Sequence, residues 1–128
     1  AVSKVCDVEV ARTGLSEAEV APLGLQWEQA VVESTTRAGY FPGAEPLRAK
    51  VVAERRSGRL LGAQIVGREG SAKRIDVFAT ALWNQMTVAE MVNMDLSYAP
   101  PFSPVWDPVL IATRKLSEQV ERTLGDYL

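Results

Sequence analysis

Two alternating runs restrict the fold of this chain more than any other feature. Leu47 to Glu54 and Arg59 to Val66 each send side chains to two faces with period two, and Arg55-Arg56-Ser57-Gly58 joins them. Gly58 can take the positive φ that closes so short a connection, so the spacing predicts an antiparallel β-hairpin. Two strands are not stable alone, and the hairpin requires further strands and a covering layer.

Both are present in the pattern. Val2 to Val10 alternates, which places Cys6, Val8 and Val10 on one face and Asp7 and Glu9 on the other. Leu25 to Thr36 is rich in β-branched residues and reads as a strand. Ser16-Glu17-Ala18-Glu19 and Thr87-Val88-Ala89-Glu90 both fit capping boxes that open short helices. Ile75, Phe78, Ala79, Leu82 and Met86 recur at three- and four-residue steps, one face of a helix. Asp107 as cap, Pro108 at the first helical position and the stripe Val109, Ala112, Leu116, Val120 and Leu124 predict a last helix ending at Gly125. Strands first and helices later give an α+β domain, a small antiparallel β-sheet with helices packed on one face. The chain begins inside a strand, which leads us to expect residues 1–128 to be one domain cut from a larger polypeptide.

Composition removes several classes of chemistry. The 128 residues contain no histidine, so imidazole bases, Ser/His/Asp triads, Cys/His dyads and nearly all ordinary zinc sites are excluded, and no metal site is expected. With 14 basic against 16 acidic side chains and no basic cluster, the chain is not built as a nucleic-acid binder. No apolar run approaches the roughly 18 residues that span a bilayer, and Ala1 to Val10 lacks the layout of a signal peptide. These features fit a soluble, cytoplasmic protein without a membrane partner.

Several candidate sites have plain structural readings. Gly67-Arg68-Glu69-Gly70-Ser71-Ala72-Lys73-Arg74 leads from strand to helix but lacks the P-loop and dinucleotide spacings, and reads as a glycine turn followed by solvated charges. Cys6 has carboxylates for sequence neighbours and reads as a buried, inert thiol. Arg55-Arg56 reads as a solvated hairpin tip, and Asp7 and Glu9 as surface groups. Two loops carry more: Arg37 to Pro46, with two Gly and two Pro in ten residues, and Asp95 to Val105. They hold Tyr40 and Tyr98 in stiff segments, and a phenol can donate a hydrogen bond to an anion or serve as a general acid. Spacing alone leaves packing and chemistry both open for these two residues.

Four motifs stand in order along the chain: Arg37-Ala38-Gly39-Tyr40-Phe41-Pro42-Gly43-Ala44, Leu61-Gly62-Ala63-Gln64-Ile65-Val66-Gly67, Lys73-Arg74-Ile75-Asp76, and Tyr98-Ala99-Pro100-Pro101-Phe102-Ser103 with Asp107-Pro108-Val109. Together, over about Val2 to Leu124, they resemble the C-terminal dimerisation domain of the pyridine nucleotide-disulfide oxidoreductases. The branch most similar is that of the coenzyme A-disulfide reductases and NADH oxidases.

The resemblance implies a homodimeric flavoenzyme in which NAD(P)H reduces FAD and the electrons pass to a redox cysteine. The FAD and NAD(P)H domains and that cysteine would precede this chain, and no cofactor is expected on the 128 residues alone. It further implies that this domain completes the active site of the partner subunit, with Tyr40 and Tyr98 as catalytic phenols acting across the dimer, Tyr98 foremost. Ala99, Pro100, Pro101 and Phe102 would lie beside the partner's FAD. Coenzyme A disulfide, a persulfide, another small disulfide and oxygen all stand open as acceptors, because Ser103-Pro104-Val105-Trp106 departs from the residues associated with known specificities. The 128 residues alone are expected to be inactive and to self-associate through apolar surface around Phe102 and Trp106. The competing expectations are a free-standing homodimeric interaction module with no catalytic role and a small enzyme working from Tyr98 and a carboxylate.

Overall fold

A computed structural model describes residues 1–126. Its backbone forms one five-stranded sheet in the order β1-β2-β5-β4-β3, antiparallel throughout. The strands are β1 (Val2–Val5), β2 (Val8–Gly14), β3 (Trp27–Thr35), β4 (Pro46–Glu54) and β5 (Leu60–Gly67). The helices are α1 (Glu17–Val20), α2 (Ile75–Trp83), α3 (Val88–Met91) and α4 (Pro108–Asp126), with single 3-10 turns at Ala21–Leu23 and Ala72–Arg74. The predicted hairpin is β4–β5, and Gly58 takes φ +73° in its turn.

Pairing register explains which side is covered. Ala11, Ile65, Ala49 and Val32 stand side by side across β2, β5, β4 and β3, as do Thr13, Ala63, Val51 and Ala30. These rows are mostly small and apolar, so helices can approach the backbone closely. Helix α2 lies over β5 and β2, and α4 lies over β3 and β4 with α3 against it. Phe78, Met91 and Leu116 fill the space between the layers and are fully buried. The stripe of α4 is buried at Val109, Ala112, Leu116 and Val120, whereas Leu124 is 38% exposed. Among the described residues no helix is long and apolar enough to cross a membrane.

The opposite face is covered at one end only. Leu15 to Leu23 folds back over it, where Val20 and Val52 are both buried and Glu17 pairs with Lys50. Gly62 makes this possible, because a Cβ there would sit inside the Leu15 backbone. Both capping boxes are formed: the Glu19 carboxylate accepts from the Ser16 N–H at 3.2 Å, and that of Glu90 from the Thr87 N–H at 3.0 Å. The rest of the face is open, and Val5, Val8, Val10 and Val66 are exposed on it.

Four expectations from the sequence are corrected here. Val2 to Val10 is two strands, because Cys6 at φ +55° turns the chain back on itself. Cys6 is therefore an exposed free thiol at a hairpin turn, not a buried one. The faces of β2 are also reversed: Glu9 and Ala11 face the helices while Val8 and Val10 face outward. Inward, Ala11 fits the row of small residues on which the helices pack, and the Glu9 carboxylate takes the Ala72 N–H at 2.9 Å. Arg55 likewise is no free tip; it pairs with Glu28 at 3.1 Å.

Candidate functional site

The two aromatic loops leave the same end of the domain. The first, residues 36–45, links β3 to β4, and the second, residues 95–107, links α3 to α4. At the neck of the first, the Thr36 N–H donates to the Glu45 carbonyl at 2.9 Å and the Glu45 N–H to the Thr36 hydroxyl at 3.2 Å. Within it the Phe41 N–H donates to the Ala38 carbonyl at 2.8 Å, and Arg37 Nη1 to the Pro42 carbonyl at 3.0 Å. Gly43, at φ +83°, leaves room for that guanidinium, which a Cβ would displace.

The second loop is tied down differently. The N–H groups of Phe102 and Ser103 both donate to the Ala99 carbonyl, at 2.9 and 3.0 Å. The Asp107 carboxylate accepts from the Val109 N–H at 2.9 Å and from the Ser103 hydroxyl at 3.1 Å, so one side chain caps α4 and anchors the loop. A single backbone bond joins the loops directly: the Ala38 N–H donates to the Pro100 carbonyl at 3.1 Å. Tyr40 and Tyr98 lie two residues from that bond, on opposite strands of the contact.

The structure thus brings Tyr40 and Tyr98 together. Both are on open surface, Tyr40 79% and Tyr98 47% exposed. The Tyr98 hydroxyl is pushed above the ordinary phenol range, first by partial desolvation and next by its hydrogen-bonding and charge interaction with Tyr40. A phenol in that condition stays protonated through the neutral range and remains a hydrogen-bond donor. Ala99, Pro100 and Pro101 are half-buried beneath it, and Phe102 projects outward, 75% exposed. Among the described residues no group of three or more acidic or cysteine side chains is gathered to hold a metal.

A flavin could meet this surface but not be enclosed by it. The described sheet is antiparallel, with none of the parallel β-α-β units whose glycine turns hold a dinucleotide pyrophosphate. What the second loop presents outward is the Phe102 ring, beside the half-buried Ala99, Pro100 and Pro101 side chains.

Arg74 is the residue that sequence reasoning missed. Read as a solvated charge, it is 10% exposed, with Nε 3.2 Å from Asp107 Oδ2 and Nη2 donating to the carbonyls of Thr36 at 2.8 Å and Phe102 at 3.1 Å. Nη1 donates to the Gly70 carbonyl. One sequence signal could have found it: Arg74 is the N-cap of α2, where a cation opposes the helix dipole unless a counter-charge holds it.

Comparison with known proteins places the fold in a family. Residues 1–108 match the family described as pyridine nucleotide-disulphide oxidoreductase, dimerisation domain. The chain is 40% identical over 116 residues to the NAD(P)H coenzyme A polysulfide/persulfide reductase of Pyrococcus horikoshii, covering 91% of this chain and 26% of that protein. It is 34% identical over 102 residues to the coenzyme A disulfide reductase of Staphylococcus epidermidis, covering 80% of this chain and 23% of that one. The reduced Bacillus anthracis CoADR-RHD superposes with a TM-score of 0.92 at 40% identity, over 95% of this chain and 22% of that chain. The chain spans about a quarter of the length of the curated relatives it matches. With both aromatic loops inside the matched span, this chain belongs to the dimerisation-domain family of the pyridine nucleotide-disulphide oxidoreductases.

Proposed function

We propose that this chain is the interface domain of an FAD-dependent NAD(P)H:disulfide oxidoreductase, and that it dimerises and completes its partner subunit's active site with Tyr40 and Tyr98. The observation that carries the reading is the meeting of two phenols from separate loops on open surface in a chain without histidine. An open pair suits a site finished by a second surface. Relatives named for coenzyme A persulfide and coenzyme A disulfide support a coenzyme A disulfide or persulfide as the acceptor. A cytoplasmic setting belongs to the same proposal, and the exposed free Cys6 is compatible with a reducing compartment.

The chemistry assigned to the chain is narrow. A bound flavin supplies the electron pair taken from the nicotinamide. Cleaving the S–S bond with that pair leaves two thiolates, which take up two protons in all. Tyr98 donates its O–H hydrogen bond to the departing sulfur, and Tyr40 orients that phenol. Outright proton transfer is uphill, because a phenol near about 10 is a weaker acid than a thiol near about 8.5. Tyr98 therefore lowers the barrier as a donor while solvent supplies the protons. Ala99 to Phe102 exclude water from one side.

The test is Tyr98→Phe in the full-length product of the gene that encodes this chain. We expect kcat with coenzyme A disulfide to fall about 10- to 100-fold, the value of one hydrogen bond to a charged group, with flavin content and dimerisation unchanged. An unchanged rate with disulfide, persulfide and oxygen alike would reduce Tyr98 to a packing residue. A colourless product without NAD(P)H turnover would instead favour the interaction-module reading.

A further inference from the structure

We infer that Arg74 is a positioning residue that sets the Tyr40 and Tyr98 loops against each other. This rests on the phenol reading above and extends it to a side chain that touches neither phenol. Arg74 comes from the start of α2, outside both loops, and its guanidinium reaches a carbonyl in each: Thr36 at the root of the Tyr40 loop and Phe102 in the Tyr98 loop. The Asp107 carboxylate holds the other edge of the fork, with Nε 3.2 Å from Oδ2. Asp107 is itself fixed by the Ser103 hydroxyl and the α4 amide. Apart from the phenols themselves, the loops share one backbone bond, Ala38 to Pro100, and Arg74 is a second tie between them from outside both.

The geometry requires arginine in particular. A planar fork with several fixed N–H vectors can serve a carboxylate and separate carbonyls at once. Lysine at the same position keeps the charge and the pairing with Asp107 but concentrates its donors at one point. Nη2 alone serves both carbonyls while Nε faces Asp107, so a lysine ammonium held by Asp107 leaves Thr36 and Phe102 without their donor. The Gly70 carbonyl is a further acceptor of the same guanidinium, and a Cβ at Gly70 would come 3.3 Å from Thr36 Cβ, so the turn is packed closely around this junction.

The experiment is a double-mutant cycle in the full-length product, with Arg74→Lys, Tyr98→Phe and both together. Each is measured for kcat and KM with coenzyme A disulfide, for flavin content and for thermal stability. If Arg74 acts through the phenols, Arg74→Lys lowers kcat about 10-fold with little change in KM. In the Tyr98→Phe background it then costs less than about 2-fold, since coupled residues are not additive. An equal loss in both backgrounds, or no loss at all, overturns the positioning role and leaves the phenol reading intact. No loss from Tyr98→Phe alone overturns the phenol reading, and with it the role assigned to Arg74. Should Arg74→Lys fail to hold flavin, Ser103→Ala takes its place, because it loosens the same carboxylate without altering the guanidinium.

Discussion

Asp107→Ala isolates the junction beneath the two loops, and its cost can be worked from the contacts. The Arg74–Asp107 pair is 10% and 14% exposed, and removing one member of such a pair costs about 3–5 kcal/mol because the other charge is stranded. Three carbonyls continue to accept from Arg74, which puts this cost at the lower end, about 3 kcal/mol. Losing the cap on the Val109 N–H adds about 1 kcal/mol. The total of about 4 kcal/mol, over an unfolding entropy of about 2.1 cal/mol/K per residue for 128 residues, lowers Tm by roughly 15 °C. Asp107→Asn keeps a good cap and a neutral acceptor, so it loses about 1–2 kcal/mol. Urea unfolding of the chain at pH 7, followed by far-UV circular dichroism, measures both, with m expected to stay constant. Equal, small losses below about 1 kcal/mol for the Ala and Asn variants would refute the reasoning and recast the pair as a solvated one.

Gly62→Ala places a Cβ inside the Leu15 backbone and must lift the α1 segment, uncovering Val20 and Val52. A loss of roughly 3–6 kcal/mol is expected by urea unfolding, against less than about 0.5 kcal/mol for Gly39→Ala, where no atom lies within 4 Å. The raised Tyr98 pKa carries a direction for the alkaline limb. The folded form holds its proton beyond the ordinary phenol value, so the protonated phenol favours the fold below about 10 and that contribution is lost as pH rises through the folded value. Tyr40→Phe removes the hydrogen-bonding and charge causes but not the desolvation, and should move the Tyr98 titration downward in an ultraviolet pH titration read against Tyr98→Phe. At low pH the direction reverses. Glu17, paired first with Lys50, is held below the usual carboxylate range, so its contribution is present above about 4.5 and lost as pH falls through the folded value. Glu17→Gln should lower stability at pH 7 and flatten the acid decline in thermal melts.

The parts of the fold that were legible in the sequence are those decided locally. The β4–β5 hairpin, the capping boxes at Ser16 and Thr87 and the stripe of α4 each follow from a spacing and a turn residue, and all are present. The N-terminal run failed because alternation does not say which face is inside. Val8 and Val10 face outward because the inner face of β2 is taken by Ala11, in the small-residue row under the helices, and by Glu9, whose carboxylate accepts from the Ala72 N–H. That N–H lies some sixty residues away, beyond the reach of periodicity. Tyr40 and Tyr98 were singled out from loop composition and resemblance, yet their adjacency depends on one backbone bond between Ala38 and Pro100. Arg74 was lost for the same reason, since three of its four acceptors lie on loops or turns that sequence order separates from it.

Burial and chemistry are divided between different residues at this end of the domain. The buried groups, Arg74, Asp107, Ser103 and Thr36, are joined to one another and to backbone carbonyls, so each polar atom is occupied by the shape of the loops. The groups proposed to meet a substrate, Tyr40 and Tyr98, are 79% and 47% exposed and contribute less to the packing. A perturbation at Asp107 must therefore act on stability and on activity together, through loop position. One at the Tyr98 hydroxyl should move activity far more than it moves unfolding near neutral pH. That separation follows from exposure, and under the proposed function it leaves the phenols to acquire a dry, oriented environment from the partner's surface rather than from their own domain.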